Sequence, residues 1–152
     1  MLAVIENLRA ARWLMAVSLG FHIVLSSLGV ALPALIFVAH RRGLRGDPAG
    51  LVLARRWAKV AGVLFAVGAV SGTILSFEMG LLWPGLMDPF GAVIGLPFAL
   101  EGIFFFLEAI FLGIYLYGWR GLPARVHLAT LVPVALSGVA GTACILAVNA
   151  WM

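Results

Sequence analysis

The sequence predicts an all-α integral membrane protein with four transmembrane helices. Of its 152 residues, 64% are hydrophobic and 11% are charged, whereas a soluble domain usually has about a quarter of its residues charged. Four apolar segments each offer the roughly 20 residues that a helix needs to cross the hydrocarbon core of a bilayer. We expect the helices at about residues 13–38, 60–82, 94–117 and 128–151.

Each segment carries features that refine its prediction. The first is expected to stay in the mature chain, because Glu6 precedes it and its apolar run is too long for a signal peptide. The second contains Gly68 and Gly72, whose spacing favours close packing against a neighbouring helix. Pro97 is expected in the first turn of the third helix, where a missing N–H costs little. Pro133 is expected to kink the fourth.

The basic residues predict the orientation of the helices. Arg120 and Arg125 lie between the third and fourth segments, and the connector between the second and third has no basic residue. By the positive-inside rule both basic connectors are cytoplasmic, so both termini lie on the outer side. Because the positive charges mark topology, we expect a lipid bilayer and no nucleic acid as a partner. The connector between the first and second segments holds six basic residues: Arg41, Arg42, Arg45, Arg55, Arg56 and Lys59.

Two glutamates lie inside the third apolar segment. A carboxylate at the middle of a membrane costs roughly 2.5–3.5 kcal/mol on insertion scales, so such residues usually have a function. Glu101 and Glu108 are seven residues apart, which is close to two full helical turns. Both side chains are therefore predicted on one face of the helix, with Glu108 nearer the cytoplasm.

A histidine in the first segment is predicted at the depth of the first glutamate. His22 lies about 13 Å below the outer end of its helix and Glu101 about 10 Å below the outer end of its own, at the helical rise per residue. Imidazole is a common ligand of haem iron, and carboxylates in membranes often form proton relays. This combination suggests a buried metal or haem centre with a proton route. The alternative is that His22 only hydrogen-bonds a neighbouring helix and that the glutamates are protonated packing residues.

The segment from Phe77 to Leu122 resembles part of subunit I of the cytochrome bd quinol oxidases. In that family an FQFG-like turn and a tryptophan precede a GxPxxxEG element, a second glutamate and a GW pair. The end of the chain is similar to an NxWM segment of the family, and Arg12 precedes His22 as an arginine precedes the family's ligand histidine. The matching residues here are Phe77-Glu78-Met79-Gly80, Trp83, Gly95-Leu96-Pro97, Glu101-Gly102, Glu108, Gly118-Trp119 and Asn149-Ala150-Trp151-Met152.

The resemblance implies a role for each matching residue. His22 would be the axial ligand of the iron in a high-spin haem, of the b or d type. Glu101 would lie beside the haem pair and take part in ligation or proton delivery, and Glu108 would belong to the proton route from the cytoplasm. Arg12 and Trp83 would join His22 and Glu101 in binding the cofactor.

The resemblance also implies a function for the whole assembly. The chain would be part of a terminal respiratory oxidase that oxidises quinol and reduces O2 to water, in the cytoplasmic (inner) membrane of a bacterium or archaeon. Its partners would be subunit II and small subunits. The family's low-spin haem b ligands and quinol-binding loop lie beyond the matching part. We therefore expect residues 1–152 to be the N-terminal four-helix part, roughly a third of the subunit, and to be inactive alone.

Two other functions fit four helices with buried carboxylates. A small proton-coupled transporter would use the glutamates, and a non-catalytic membrane subunit would only pack against partners. We expect three further ionisable residues to be solvated groups at helix ends. They are His40 and His127, which lie beside arginines, and Glu78 after the second helix.

Overall fold

The computed structural model describes the backbone of residues 2–151 and the side chains of residues 6–151. A short 3₁₀ turn, Gly118–Arg120, follows the third of the helices. The described part of the chain has four helical spans that are long and apolar enough to cross a membrane, as predicted, and the last two helices together form the fourth span. Met152, which ends the NxWM-like segment, lies outside the described residues. The helices are α1 (Leu2–Leu44), α2 (Pro48–Leu82), α3 (Pro84–Tyr117), α4 (Ala124–Ala129) and α5 (Leu131–Trp151).

The four helical spans are longer than the apolar segments predicted for them, and α2 and α3 are separated by Trp83 alone. Trp83 has φ −125° and ψ 50°, because the residue before a proline is disfavoured in the helical region. Pro84 then occupies the first position of α3, where its missing N–H is not needed. Since α3 begins here, Pro97 lies in the helix interior and not in the first turn, where it was expected.

The turn between α1 and α2 is compact. Gly46 adopts φ 103°, a left-handed conformation that glycine enters without steric cost. The Asp47 side chain accepts a hydrogen bond from the Ala49 backbone N–H at 3.1 Å and so caps the start of α2. A Cβ atom on Gly50 would lie 2.6 Å from the Ala39 carbonyl oxygen. Glycine at this position therefore lets the two helices approach closely.

The four spans form a bundle in which each one has two neighbours. α1 packs along α2 and α3 packs along α5, while contacts of α1 with α5 and of α2 with α3 close the ring. α1 and α3 consequently face each other across the bundle interior. Many large apolar side chains are exposed on the outer surface, as expected for helices that contact lipid acyl chains.

The fourth span is interrupted earlier than predicted. α4 ends at Ala129 and α5 begins at Leu131, so the break precedes Pro133, which was expected to kink the helix. Pro133 has no N–H with which to reach the carbonyl of Ala129, four residues before it, and its ring would clash with that carbonyl. The break at Thr130 removes this conflict.

The prediction that His40 and His127 are solvated is wrong. Their exposed fractions are 2% and 3%, because their rings pack against each other and against Tyr115 of α3. The Tyr115 hydroxyl is 3.0 Å from His40 Nδ1, and His127 Nε2 donates to the Tyr115 carbonyl at 2.7 Å. Trp119 stacks on the His40 ring, with 5.1 Å between centroids. These aromatic residues close the end of the bundle that carries the basic connectors.

Candidate functional site

A cavity of about 100 Å³ lies inside the bundle and is lined by His22, Glu101 and Glu108 together. α1 contributes the histidine, α3 contributes both glutamates, and α2 and α5 supply the remaining walls. The structure thus brings the imidazole and the two carboxylates from opposite sides of the bundle to one space. Their joint position depends on the packing of all four spans, because α1 and α3 meet only across the interior.

The His22 ring is held between two serines. Its Nδ1 atom lies 2.8 Å from the hydroxyl oxygen of Ser71 on α2, and its Nε2 atom lies 3.0 Å from that of Ser26 on α1. The Ser71 hydroxyl is also 3.0 Å from the Gly68 carbonyl oxygen, and the Ser26 hydroxyl is 2.9 Å from the His22 carbonyl oxygen. Each serine therefore has two possible acceptors for its single proton.

The Ser26 hydroxyl can donate its proton either to Nε2 of the ring or to the His22 carbonyl oxygen. A neutral imidazole carries one N–H and one lone pair. If both serines donate to their carbonyl oxygens, the N–H donates to one hydroxyl oxygen and the lone pair on the other nitrogen has no donor. A group that accepts this lone pair would satisfy every contact of His22. A metal ion at Nε2 would take the place of the contact with Ser26, whose hydroxyl keeps the His22 carbonyl oxygen as an acceptor.

Glycine makes room for the imidazole on the side of α2. A Cβ atom on Gly72 would lie 3.0 Å from His22 Cε1, closer than most real Cβ contacts. Gly68 and Gly72 were predicted to allow close helix packing, and here Gly72 contacts the predicted ligand itself. Gly72, which has no side chain, therefore lies where the His22 ring approaches the backbone of α2.

The two glutamates lie against the glycine face of α5. A Cβ atom on Gly138 would lie 3.4 Å from both carboxylate oxygens of Glu108, and one on Gly141 would lie 3.7 Å from Cγ of Glu101. Both glutamates are partly buried and line the same cavity. Because α5 presents no side chain at these two positions, the carboxylates fit between α3 and α5.

Aromatic rings form part of the cavity wall. Phe65 of α2 and Phe105 of α3 stack with 4.6 Å between their centroids and an angle of 10° between their planes. Both residues line the cavity. This apolar contact joins α2 to α3 at the cavity wall.

The other two predicted cofactor contacts do not line this cavity. Arg12 is exposed on α1, ten residues before His22. Trp83 lies in the break between α2 and α3, and its Nε1 atom is buried without a hydrogen-bond partner among residues 6–151. The structure therefore groups His22 with the two glutamates and leaves Arg12 and Trp83 apart from them.

Glu78 is not the solvated helix-end carboxylate that was expected. Its exposed fraction is 7%, and its Oε1 atom accepts a hydrogen bond from the Ser18 hydroxyl at 2.8 Å. Its Oε2 atom has no partner within the part of the chain whose side chains are described. The carboxylate is buried because α2 continues past it to Leu82 and packs along α1.

Sequence reasoning missed the polar residues that surround the predicted ones. Ser71 and Ser26 contact the imidazole, and Ser137 and Thr142 of α5 line the cavity. One signal was available, since Ser26 follows His22 by four residues and so lies one helical turn away. Ser71 gave no comparable signal, because its contact with His22 depends on how α1 and α2 pack.

Comparison with known proteins identifies relatives over nearly the whole chain. The family model of cytochrome bd terminal oxidase subunit I matches residues 10–152. A Bacillus subtilis (strain 168) protein, named as a candidate cytochrome bd menaquinol oxidase subunit I, is 36% identical over 147 residues, which are 96% of this chain and 33% of the relative. The cytochrome bd-II ubiquinol oxidase subunit 1 of Escherichia coli (strain K12) is 30% identical over 149 residues, 93% of this chain and 28% of the relative.

A solved structure has the same arrangement of helices. The bd oxidase from Geobacillus thermodenitrificans matches with a TM-score of 0.89 and 41% sequence identity, covering 94% of this chain and 34% of the matched chain. The chain thus spans about a third of the length of the relatives that it matches.

Proposed function

Because the chain belongs to the cytochrome bd terminal oxidase subunit I family, we propose that it forms the N-terminal four-helix part of a quinol-oxidising respiratory oxidase. The assembled enzyme reduces O2 to water. The observation that carries this proposal is the cavity between the four spans, lined by one histidine and two glutamates. Ionisable side chains are costly inside a membrane and usually serve catalysis or charge transfer. Their convergence supports a site that binds a redox group and handles protons.

His22 would hold the iron of a high-spin haem of the b or d type. The residues fit this group, because imidazole is a common ligand of haem iron and the Ser26 hydroxyl can leave Nε2 for the His22 carbonyl oxygen. A bound haem supplies the iron at which O2 is reduced. The cavity of about 100 Å³ holds only part of a macrocycle, so the rest of the pocket is assigned to the remainder of the subunit. Arg12 and Trp83 are proposed as further cofactor contacts on the family pattern alone.

The two glutamates are the proposed proton carriers. Glu108 would receive protons from the cytoplasmic side, and Glu101 would pass them toward a bound haem or take part in holding it. Their spacing on α3 places both on one face, and both reach the cavity that His22 lines. The α5 backbone covers both glutamate side chains on its side of the cavity.

The basic connectors support a single orientation in the cytoplasmic membrane of a bacterium or archaeon. The turn between α1 and α2 and the segment between α3 and α4 carry most of the arginines, so they are assigned to the cytoplasm and both termini to the outer side. In this orientation Glu108 lies nearer the cytoplasm than Glu101. The proposed proton route therefore runs from the cytoplasm toward His22.

The electron-donor side of the enzyme is assigned to residues outside this chain. The chain spans about a third of its relatives, and we propose that the remainder of subunit I holds a low-spin haem b and the quinol site. Subunit II and small subunits would complete the complex. The four-helix part then contributes a haem ligand and the proton carriers, and it is inactive alone.

The test is a reduced-minus-oxidised absorbance spectrum of membranes in which the complete subunit is produced with its companion subunits. We expect His22→Gln to remove the high-spin haem bands. His40→Gln is the matched control, because it replaces another buried imidazole, outside the cavity, and keeps a polar group near Tyr115. Its spectrum should equal that of the wild type.

Two results would contradict the proposal. Haem bands of full amplitude in His22→Gln would remove His22 as a ligand. Folded wild-type protein without haem bands, but with proton-coupled efflux of a lipophilic cation that Glu101→Gln abolishes, would favour the small transporter instead.

A further inference from the structure

Ser71 is the one residue of α2 whose side chain hydrogen-bonds the His22 ring among the described residues. Its hydroxyl oxygen lies 2.8 Å from Nδ1, and the residue is 7% exposed. The contact joins residues 49 positions apart in the chain. Neither the motifs of the sequence nor the proposed function assigns a role to this serine.

The two edges of the imidazole have different surroundings. The cavity that contains the glutamates is lined by His22 and Ser26, the serine that contacts Nε2. Ser71 contacts Nδ1 and instead lines a separate recess between α1 and α2, together with Ser18 and Phe21. Nε2 therefore lies beside Ser26, a residue of the cavity with the carboxylates, and Nδ1 lies beside Ser71 of α2.

A ligand at Nε2 determines the direction of the bond to Ser71. When the Nε2 lone pair binds a metal, a neutral imidazole must carry its proton on Nδ1. The Ser71 hydroxyl oxygen then accepts this N–H, and its own proton goes to the Gly68 carbonyl oxygen 3.0 Å away. The Ser26 hydroxyl, 3.0 Å from Nε2, must turn away to admit the metal, and its proton then goes to the His22 carbonyl oxygen. Both serines and both ring nitrogens are satisfied in this arrangement.

We propose that Ser71 is the positioning residue of the haem ligand: it accepts the Nδ1–H of His22 and holds Nε2 toward the cavity. This inference rests on the proposed function, since it requires a haem at His22. Partners of this kind fix the tautomer and the ring orientation of a ligating histidine and raise its basicity. The Gly72 backbone beside Cε1 restricts the ring further, so α2 supplies both the hydrogen bond and the surface on which the ring rests.

The experiment compares Ser71→Ala and Ser71→Thr in the complete oxidase complex. Its readouts are the iron–histidine stretching frequency by resonance Raman, the midpoint potential of the band that depends on His22, and the haem retained after purification. In Ser71→Ala we expect a lower stretching frequency and a higher potential, because a less basic imidazole stabilises ferric iron less. We also expect roughly 10-fold weaker haem binding. Ser71→Thr keeps the hydroxyl, so its stretching frequency, midpoint potential and haem retention should equal those of the wild type.

Ser76→Ala is the matched control. Ser76 lies on the same helix and donates to the Gly72 carbonyl oxygen at 3.1 Å, so its removal deletes an equivalent hydroxyl of α2. It should leave the stretching frequency and the potential unchanged. Bands that depend on His22 but are identical in Ser71→Ala and the wild type would overturn the role of Ser71 alone. A wild-type complex without any His22-dependent band would overturn this inference together with the proposed function.

Discussion

A Cβ atom on Gly138 of α5 would lie 3.4 Å from both carboxylate oxygens of Glu108 on α3. The Glu108 carboxylate therefore packs against the backbone of α5, and a large side chain at position 138 would clash with it. Glu101 is related to Gly141 in a similar way, with 3.7 Å from the added Cβ to its Cγ atom. The glycine face of α5 thus limits where both proposed proton carriers can lie.

Gly138→Leu should slow O2 reduction without removing the haem. The larger side chain must displace the Glu108 carboxylate, and a displacement of about 1 Å at a reacting group can cost roughly 100-fold in rate. The measurement is quinol-dependent O2 consumption by the assembled complex, together with its haem spectrum. Gly113→Leu on α3 is the control, because a Cβ atom at Gly113 meets nothing within 4 Å. Equal rates in the two variants would contradict the role of the Gly138 contact.

Glu108→Gln should lower turnover more than it lowers haem content. The amide preserves the size and polarity of the side chain but cannot take up and release a proton, and losing a positioned acid or base costs about 100-fold or more. O2 consumption and haem absorbance are measured on the same membranes. Glu6→Gln, which changes an exposed glutamate near the start of α1, should behave as the wild type. Normal turnover in Glu108→Gln would exclude this residue from the proton route.

Gly72→Ala should displace the His22 ring and reduce haem binding. The added methyl group would lie 3.0 Å from Cε1, so the imidazole must rotate or α1 must move away from α2. We expect smaller or shifted high-spin haem bands in the absorbance spectrum. Gly80→Ala is the control, because it makes the same change on α2 at a position where an added Cβ atom would have nothing within 4 Å. An unchanged spectrum in Gly72→Ala would show that the ring is not confined on this side.

The sequence was sufficient for the four spans and for the face shared by the glutamates, because hydropathy and helical periodicity are local properties. It was not sufficient for the start of α3, since Pro84 is equally compatible with ending one helix and beginning the next. The burial of His40 and His127 was missed because their partner, Tyr115, comes from a third helix. Ser71 was missed for the same physical reason, as its contact with His22 exists only when α1 and α2 are packed.

Tyr115→Phe should destabilise the bundle without changing the haem. It removes the hydroxyl that lies 3.0 Å from His40 Nδ1, and a hydrogen bond between membrane helices contributes about 1 kcal/mol. The free energy of unfolding is measured by titrating the purified protein with a denaturing detergent. Tyr117→Phe is a close control, because Tyr117 is 89% exposed and its hydroxyl can be solvated. Equal stability of the two variants would mean that the Tyr115–His40 bond contributes nothing.

The orientation of the bundle can be tested by labelling single cysteines from one side of the membrane. Cys144 is the one native cysteine, so Cys144→Ala gives a background to which Asp88→Cys or Arg45→Cys is added. Both positions are exposed; Asp88 lies near the start of α3, and Arg45 lies in the basic turn between α1 and α2. Because positively charged connectors stay in the cytoplasm, a membrane-impermeant maleimide should label Asp88→Cys in intact spheroplasts. Arg45→Cys should be labelled only after permeabilisation, and Arg125→Cys should behave in the same way. Labelling in the reverse pattern would show that the bundle has the opposite orientation. Glu108 would then lie nearer the outer side than Glu101, and the proposed proton route would run in the opposite direction.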